Sequence, residues 1–365
     1  MIYLLDPWTA DAFDYDKLVK QFGIKNFQDE LVKIKNPNRL MRRRVIFGHR
    51  DFNNISDLIN TNKQFAVVTG MMPSGQIHIG HKMVVDQLIW YQNNGGKLSL
   101  PIADLEAYAA RGISFEKGKQ LAVNEYLTNY IALGLDVEKD VNIYLQSQNK
   151  ILSDLSFRAS MKANFSELKA IYGFTPSTNL AHVNAPLSQV ADILIPQLEE
   201  YGGPINTVVP VGIDQDPHLR LTRDITSKLH EEFGFLTPSS TYHRFITGLT
   251  GGKMSSSKPK TAIYLNDETK DAVKKLKSAK TGGRESLQEQ KQLGGKPDEC
   301  VIFELLVYHL IEDDEKLREI KEECLSGTLL CGDCKNRTCQ LLEDFLDDLH
   351  EKQIESREIA QTIFD

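Results

Sequence analysis

The feature that most constrains this fold is an alternation of short apolar runs with amphipathic stretches through the middle of the chain. Phe65-Ala-Val-Val-Thr-Gly70 is an apolar, β-branched run halted by Gly70 and Pro73, which suits a strand buried on both faces of a parallel sheet. A helical pattern follows from His81 to Tyr91, with Met83, Val84, Leu88 and Tyr91 at helical spacing and Asn93-Asn-Gly-Gly96 as the stop. Leu98–Ala103, Val141–Leu145 and Thr207–Gly212 repeat the apolar run, each separated from the next by helical pattern. That order predicts βαβ units and an α/β fold with a parallel sheet. Ligands of such sheets bind beyond the carboxyl ends of the strands, where Gly70 to His81 and Gly212 to Asp216 fall.

The 365 residues, 41% of them hydrophobic, suffice for two or three domains with a sizeable core. Three regions are expected. Residues 1–60 read as an N-terminal extension, and 61–262 as a Rossmann-like catalytic domain with a largely helical insertion at about 110–200. Residues 263–365 read as an all-helical C-terminal domain. The N-terminus carries no basic region, and no apolar stretch reaches the length of a bilayer, so the chain reads as cytoplasmic and not membrane-bound. A net charge of −7 requires any nucleic-acid contact to come from local basic patches. Arg39 with Arg42, Arg43 and Arg44 forms one such cluster, and Lys270, Lys274, Lys275, Lys277, Lys280 and Arg284 form another. Charge alone also fits solvated helix faces.

His78-Ile79-Gly80-His81 lies between the first strand and its helix, so two imidazoles and the helix N-terminal amides are expected to converge on an anion. Gly80 leaves room for a flat base against the backbone. Lys253-Met254-Ser255-Ser256-Ser257 follows Thr250-Gly251-Gly252, a composition that suits a mobile loop closing on phosphates with a movable positive charge and several hydroxyls. Either element alone also suits an ordinary turn; together, in this order and on this βαβ pattern, they point to nucleotide chemistry.

The pair resembles the two signature motifs of class I aminoacyl-tRNA synthetases. The likeness extends to Asp6-Pro-Trp-Thr9, Asp14-Tyr-Asp-Lys-Leu18, Arg42 to Asp51, Gly212 to Asp224, Thr281-Gly-Gly-Arg284 and Gly294-Gly295, which resemble the archaeal and eukaryotic branch of tryptophanyl-tRNA synthetases. Asp214 to Asp224 discriminates best, because the sister tyrosine enzymes do not share it. The resemblance implies that tryptophan attacks the α-phosphorus of ATP, and that the adenylate is then transferred to tRNA(Trp). It implies that His78, His81, Lys253, Ser255 and Ser256 act on the phosphates. Gly80 would face adenine, Asp214 the ribose, and Gly70, Gly212, Gln215 and Met254 the nucleotide. Mg²⁺ would bridge phosphate oxygens, held chiefly by ATP. It further implies a homodimer whose helical domain reads the anticodon.

For the amino acid, Gln189 and Asp192 are three apart on a helical pattern and can face one pocket. A buried carboxylate accepts from a single indole N–H, and a carboxamide can hold an ammonium group. The eukaryotic enzymes place a Tyr and a Gln where this chain has Val68 and Pro101, whereas Asp192 matches the aspartate of the bacterial enzymes. The expectation is a hybrid pocket with Asp192 on the indole nitrogen, Val68 lining the ring, and Glu106, Gln189 or Gln215 on the α-ammonium. Tyrosine is the nearest rival substrate, but an apolar Val68 leaves a phenolic hydroxyl one partner short.

All five cysteines lie between 300 and 339. Cys324, Cys331 and Cys334 follow C-x6-C-x2-C, with Cys300 upstream. Four thiolates suit a [4Fe-4S] cluster or tetrahedral zinc, and some bacterial tryptophan enzymes carry such a cluster on a similar pattern. Cys339 is an alternative ligand, and reduced cysteines without metal fit the same spacing.

Overall fold

The computed structural model describes residues 15–254 and 258–364. Seven strands form one sheet: β1 (Lys25–Asn26), β2 (Ile46–Arg50), β3 (Phe65–Val68), β4 (Gly96–Ile102), β5 (Val141–Leu145), β6 (Thr207–Gly212) and β7 (Ser239–His243). Their spatial order is β1-β2-β7-β6-β3-β4-β5. Strands β3 to β7 run parallel, while β2 pairs antiparallel with β7 and β1 antiparallel with β2. The sheet is therefore mixed but mostly parallel.

All four expected strands are present within two residues of their predicted ends. The other three come from segments the apolar pattern does not mark. Two lie before residue 60, so the stretch read as an N-terminal extension supplies two strands of the sheet. The third, β7, reads Ser-Ser-Thr-Tyr-His and is buried throughout. Its polarity is largely met by neighbours: Tyr91 and Thr241 hydroxyls lie 3.3 Å apart, and the Tyr242 hydroxyl donates to Asp216 at 2.6 Å.

Five helices frame the sheet: α1 (Ile79–Asn93), α2 (Asp104–Arg111), α3 (Lys150–Ser160), α4 (Leu180–Leu194) and α5 (Asp216–Phe233). The strand order reverses at β3, which has β4 on one side and β6 on the other. That switch point opens a crevice at the carboxyl ends of β3 and β6. Beyond the sheet come α6 (Thr269–Lys277), the single turn α7 (Val301–Leu305) and the long α8 (Cys331–Thr362). Leu342, Leu346 and Leu349 of α8 share one buried cluster with Leu127 and Tyr130 and with the sheet residues Phe65 and Leu100. No helix among the described residues is long and apolar enough to cross a membrane.

Three of the four clustered arginines are tied to carboxylates, while Arg44 is exposed. Arg39 bonds Asp86 and Glu312, and Arg42 and Arg43 meet Asp314 at 2.6 and 2.7 Å. Arg43 also donates to the carbonyls of Val307 and Ile311 at 2.6 and 2.7 Å. These residues clasp the N-terminal segment to the C-terminal helices. By contrast, Lys270, Lys274, Lys277 and Lys280 are exposed.

Candidate active site

The two nucleotide motifs are joined by main-chain bonds. Ile79 N donates to Ile263 O at 2.9 Å and Leu265 N to Ile77 O at 3.0 Å, so the strand-like segment after the Lys253 loop runs beside the His78 turn. The loop stem is a small hairpin in which Thr247 pairs with Lys253 and Met254 N donates to Ile246 O at 3.1 Å. Gly251 and Gly252 make its turn with φ of +97° and +73°, backbone that a side chain would strain. Lys253 Nζ lies 3.1 Å from Asp214 Oδ2 and 3.8 Å from the centre of the Phe245 ring. Ser255 and Ser256 lie outside the described residues.

The amides at the start of α1 are already engaged, contrary to expectation: Ile79 N by Ile263 O, Gly80 N by His78 Nδ1 at 3.1 Å and His81 N by His78 O. His78 caps the helix, and His81 Nδ1 in turn accepts the His78 amide at 3.2 Å. An anion here would meet imidazoles, not amides. The rings stand 4.1 Å apart. Burial, reinforced by each other and by Lys253, lowers His78 to about 2, and burial lowers His81 to about 4. Both are neutral near pH 7. Because the Gly80 N–H can only donate, neutral His78 carries its proton on Nε2 and is a hydrogen-bond donor. A side chain at Gly80 would sit 2.9 Å from both the His78 ring and Ile246, so close packing within the protein already demands glycine there.

A cavity of about 350 Å³ opens at the switch point. Val68, Gly70, His81, Glu106, Gln189, Asp192, Gly212 and Gln215 all line it. His78, Gly80, Asp214, Lys253 and Met254 are not in its wall, and form the adjoining motif cluster. At its floor Asp192 Oδ1 accepts the Tyr144 hydroxyl at 2.8 Å, and Oδ2 accepts Gln146 Nε2 at 2.6 Å. Burial raises the Asp192 carboxyl to about 7, against the lowering effect of these two donors. Gln189 Nε2 donates to Glu106 Oε2 at 3.2 Å, which leaves Gln189 Oε1 buried with no partner among the described residues. An unmet buried acceptor of this kind is costly unless a ligand donates to it.

The family model for class I tRNA synthetases (W and Y) matches residues 60–347. The chain belongs to that family. It is 57% identical over 364 residues to the tryptophan–tRNA ligase of Methanocaldococcus jannaschii, covering 99% of this chain and 98% of that protein. The crystal structure of tryptophanyl-tRNA synthetase from Aeropyrum pernix superposes with a TM-score of 0.91 at 44% identity, covering 98% of both chains. That of Encephalitozoon cuniculi, bound to tryptophan, gives 0.81 at 26% identity, covering 94% of this chain and 96% of the other.

In this class I synthetase, sequence reasoning passed over several residues at the site. Tyr144 and Gln146 hold Asp192 from the end of β5. His218 and His243 line the cavity, buried, and burial lowers both to about 3. His218 lay inside the discriminating stretch, which was the available signal; β5 carried none for Tyr144.

Cys300, Cys324, Cys331 and Cys334 line one small pocket with Ile302, Phe303 and Leu329. Cys339, the alternative ligand, is buried outside it. Burial and the three neighbouring thiols push Cys334 up to about 12. Among the described residues, no three His, Cys, Asp or Glu side chains stand close enough around one point to hold a metal ion.

Proposed function

We propose that the chain is a tryptophan–tRNA ligase that activates L-tryptophan with ATP and transfers it to tRNA(Trp), releasing AMP and pyrophosphate. The observation that carries this reading is that His81, of the first nucleotide motif, and the buried Asp192 carboxylate line one cavity. On this reading the indole N–H donates to Asp192 while the ring lies against Val68. Glu106, with Gln189 and Gln215 beside it, takes the α-ammonium. The tryptophan carboxylate then faces the α-phosphorus of ATP, aligned by the neutral His78 and His81 donors and by Lys253, with Mg²⁺ carried on the phosphates. The protein supplies no covalent nucleophile; its contribution is alignment and charge stabilisation.

The partner contacts belong to the same proposal. Exposed Lys270, Lys274, Lys277 and Lys280 offer the C-terminal region a positive stripe for tRNA, on an otherwise acidic molecule. A cytosolic homodimer is part of the same reading, and Phe157 and Met161, 71% and 74% exposed at the end of α3, are large apolar side chains it could cover.

A [4Fe-4S] cluster or zinc would be held by Cys300, Cys324, Cys331 and Cys334, which share one pocket but do not converge on one point in the structure. Zinc needs every sulfur at about 2.3 Å from one centre, whereas a cluster seats each thiolate on a different iron. The apolar wall of Ile302, Phe303 and Leu329 would keep such a centre dry. Iron and acid-labile sulfide in anaerobically purified protein test this. The enzymatic reading is tested by charging of tRNA with tryptophan and with tyrosine, where tryptophan alone should be accepted.

A further inference from the structure

The loop that carries Lys253 is gripped from an unexpected side. Thr247, which pairs with Lys253 across the stem, donates its amide to Glu304 Oε1 at 3.2 Å. Glu304 belongs to α7, in the C-terminal helical region, 57 residues further along. Its carboxylate is also hydrogen-bonded by the Tyr308 side chain, with the Arg244 guanidinium nearby. Tyr308 is itself fixed: it is 7% exposed, and its carbonyl accepts Arg39 Nε at 3.1 Å. The anchor thus runs from the loop stem through Glu304 and Tyr308 to the arginine clasp.

The stem packs into the main core through Ile246, Leu249 and Met254, and Glu304 adds a polar contact from the C-terminal helices. One strand of the stem, Ile246–Thr247, leaves β7 within three residues of its end, and the opposite strand leads into residues 255–257. Beyond the stem's own pairs, Leu249 N to Thr261 O and Lys280 N to Leu249 O lie further along the hairpin. Glu304 is the side chain that accepts the Thr247 amide at the base of the stem.

We propose that Glu304 is a positioning residue for adenylate formation, holding the Thr247 hinge so that Lys253 reaches the phosphates from a fixed point. The proposal rests on the reading of Lys253 as a phosphate contact. It makes the C-terminal helices part of the ATP site, and not only a tRNA platform. A burial-driven rise of the Glu304 carboxyl, countered by Thr247 and Tyr308, agrees with a group kept in place by these bonds.

The test is tryptophan-dependent pyrophosphate exchange in the full-length chain carrying Glu304→Ala, Glu304→Gln or Tyr308→Phe. Glu304→Ala should lower kcat about tenfold and alter KM for ATP, with KM for tryptophan within about twofold, since a displaced catalytic group loses rate more than it loses binding of the other substrate. Glu304→Gln should recover most of the loss, because its amide oxygen still accepts from Thr247 N–H. Tyr308→Phe, a milder change should the alanine variant fold poorly, should show a smaller loss of the same kind. An unchanged kcat in Glu304→Ala and Tyr308→Phe overturns the proposal. So does a loss that raises both KM values equally and follows the melting temperature. Absence of exchange in the unaltered protein would instead refute the enzymatic reading.

Discussion

Lys253 Nζ sits 3.1 Å from the Asp214 carboxylate, and the same ammonium lies over the Phe245 ring. The residue assigned to the phosphates is therefore paired with the residue assigned to the ribose. On the proposed reading, a nucleotide would draw Lys253 from Asp214 while placing its own hydroxyls there. Burial raises the Asp214 carboxyl, and Lys253 is the chief influence opposing that rise. Lys253→Ala should slow adenylate formation about a hundredfold or more, close to 3 kcal/mol of transition-state stabilisation. Tryptophan affinity, measured by equilibrium binding, should change far less. A normal exchange rate in this variant would remove Lys253 from the mechanism.

The Asp192 carboxylate sets a second prediction. Its folded-state value, about 7, lies above the ordinary carboxylate range. Protonation is thus easier in the folded protein than in the unfolded chain, and the carboxylate takes up its proton as pH falls through about 7. KM for tryptophan should rise as pH is lowered from 8 to 6, because a protonated Asp192 is a poorer acceptor for the indole N–H. Asp192→Asn should raise KM at every pH and flatten this profile; an unchanged KM would mean that the indole is read elsewhere.

His78 and His81 should be uncharged in the free protein throughout the neutral range, since burial holds them at about 2 and about 4. Nitrogen NMR of the imidazoles at pH 6 should find His78 neutral with the proton on Nε2. A doubly protonated His78 ring at that pH would contradict the donor role drawn from its bond with Gly80 N.

The arginine clasp predicts a loss of stability and not of RNA binding. Arg43, with a side chain 6% exposed, serves Asp314 and the carbonyls of Val307, Ile311 and Glu312. Arg43→Ala leaves the Val307, Ile311 and Glu312 carbonyls without this donor, although Asp314 keeps Arg42, and should cost about 2–3 kcal/mol, read as a lower urea midpoint. The KM for tRNA should stay within about twofold. In contrast, Lys274→Glu with Lys277→Glu should weaken tRNA binding and reduce its salt dependence, leaving pyrophosphate exchange intact.

Particular residues show how far the sequence could be read. Phe65–Val68 and Val141–Leu145 were legible because β-branched, apolar runs have few other uses, and the Gln189/Asp192 pair because helical spacing puts both on one face. Ser239–His243 was not, since a fully buried strand of hydroxyl-bearing residues largely satisfies its polarity with partners far away in sequence, such as Tyr91 and Asp216. The same reason hid Tyr144, Gln146 and Glu304: each acts on a neighbour supplied by another element. Arg39, Arg42 and Arg43 looked like an open cluster because their carboxylates, Glu312 and Asp314, lie some 270 residues away. The joining of the His78 turn to the segment after Lys253 was an expectation of the paired motifs, and the Ile79–Ile263 bond supplies its geometry.

On the proposed reading, His78, His81 and Lys253 surround the phosphates of one ATP while Asp192 holds an indole in the adjoining cavity. Exchange of labelled pyrophosphate into ATP, followed with each amino acid in turn, tests it most directly. Rapid exchange is expected with tryptophan and little with tyrosine or phenylalanine. Exchange that is absent with tryptophan, or as fast with tyrosine, would contradict it.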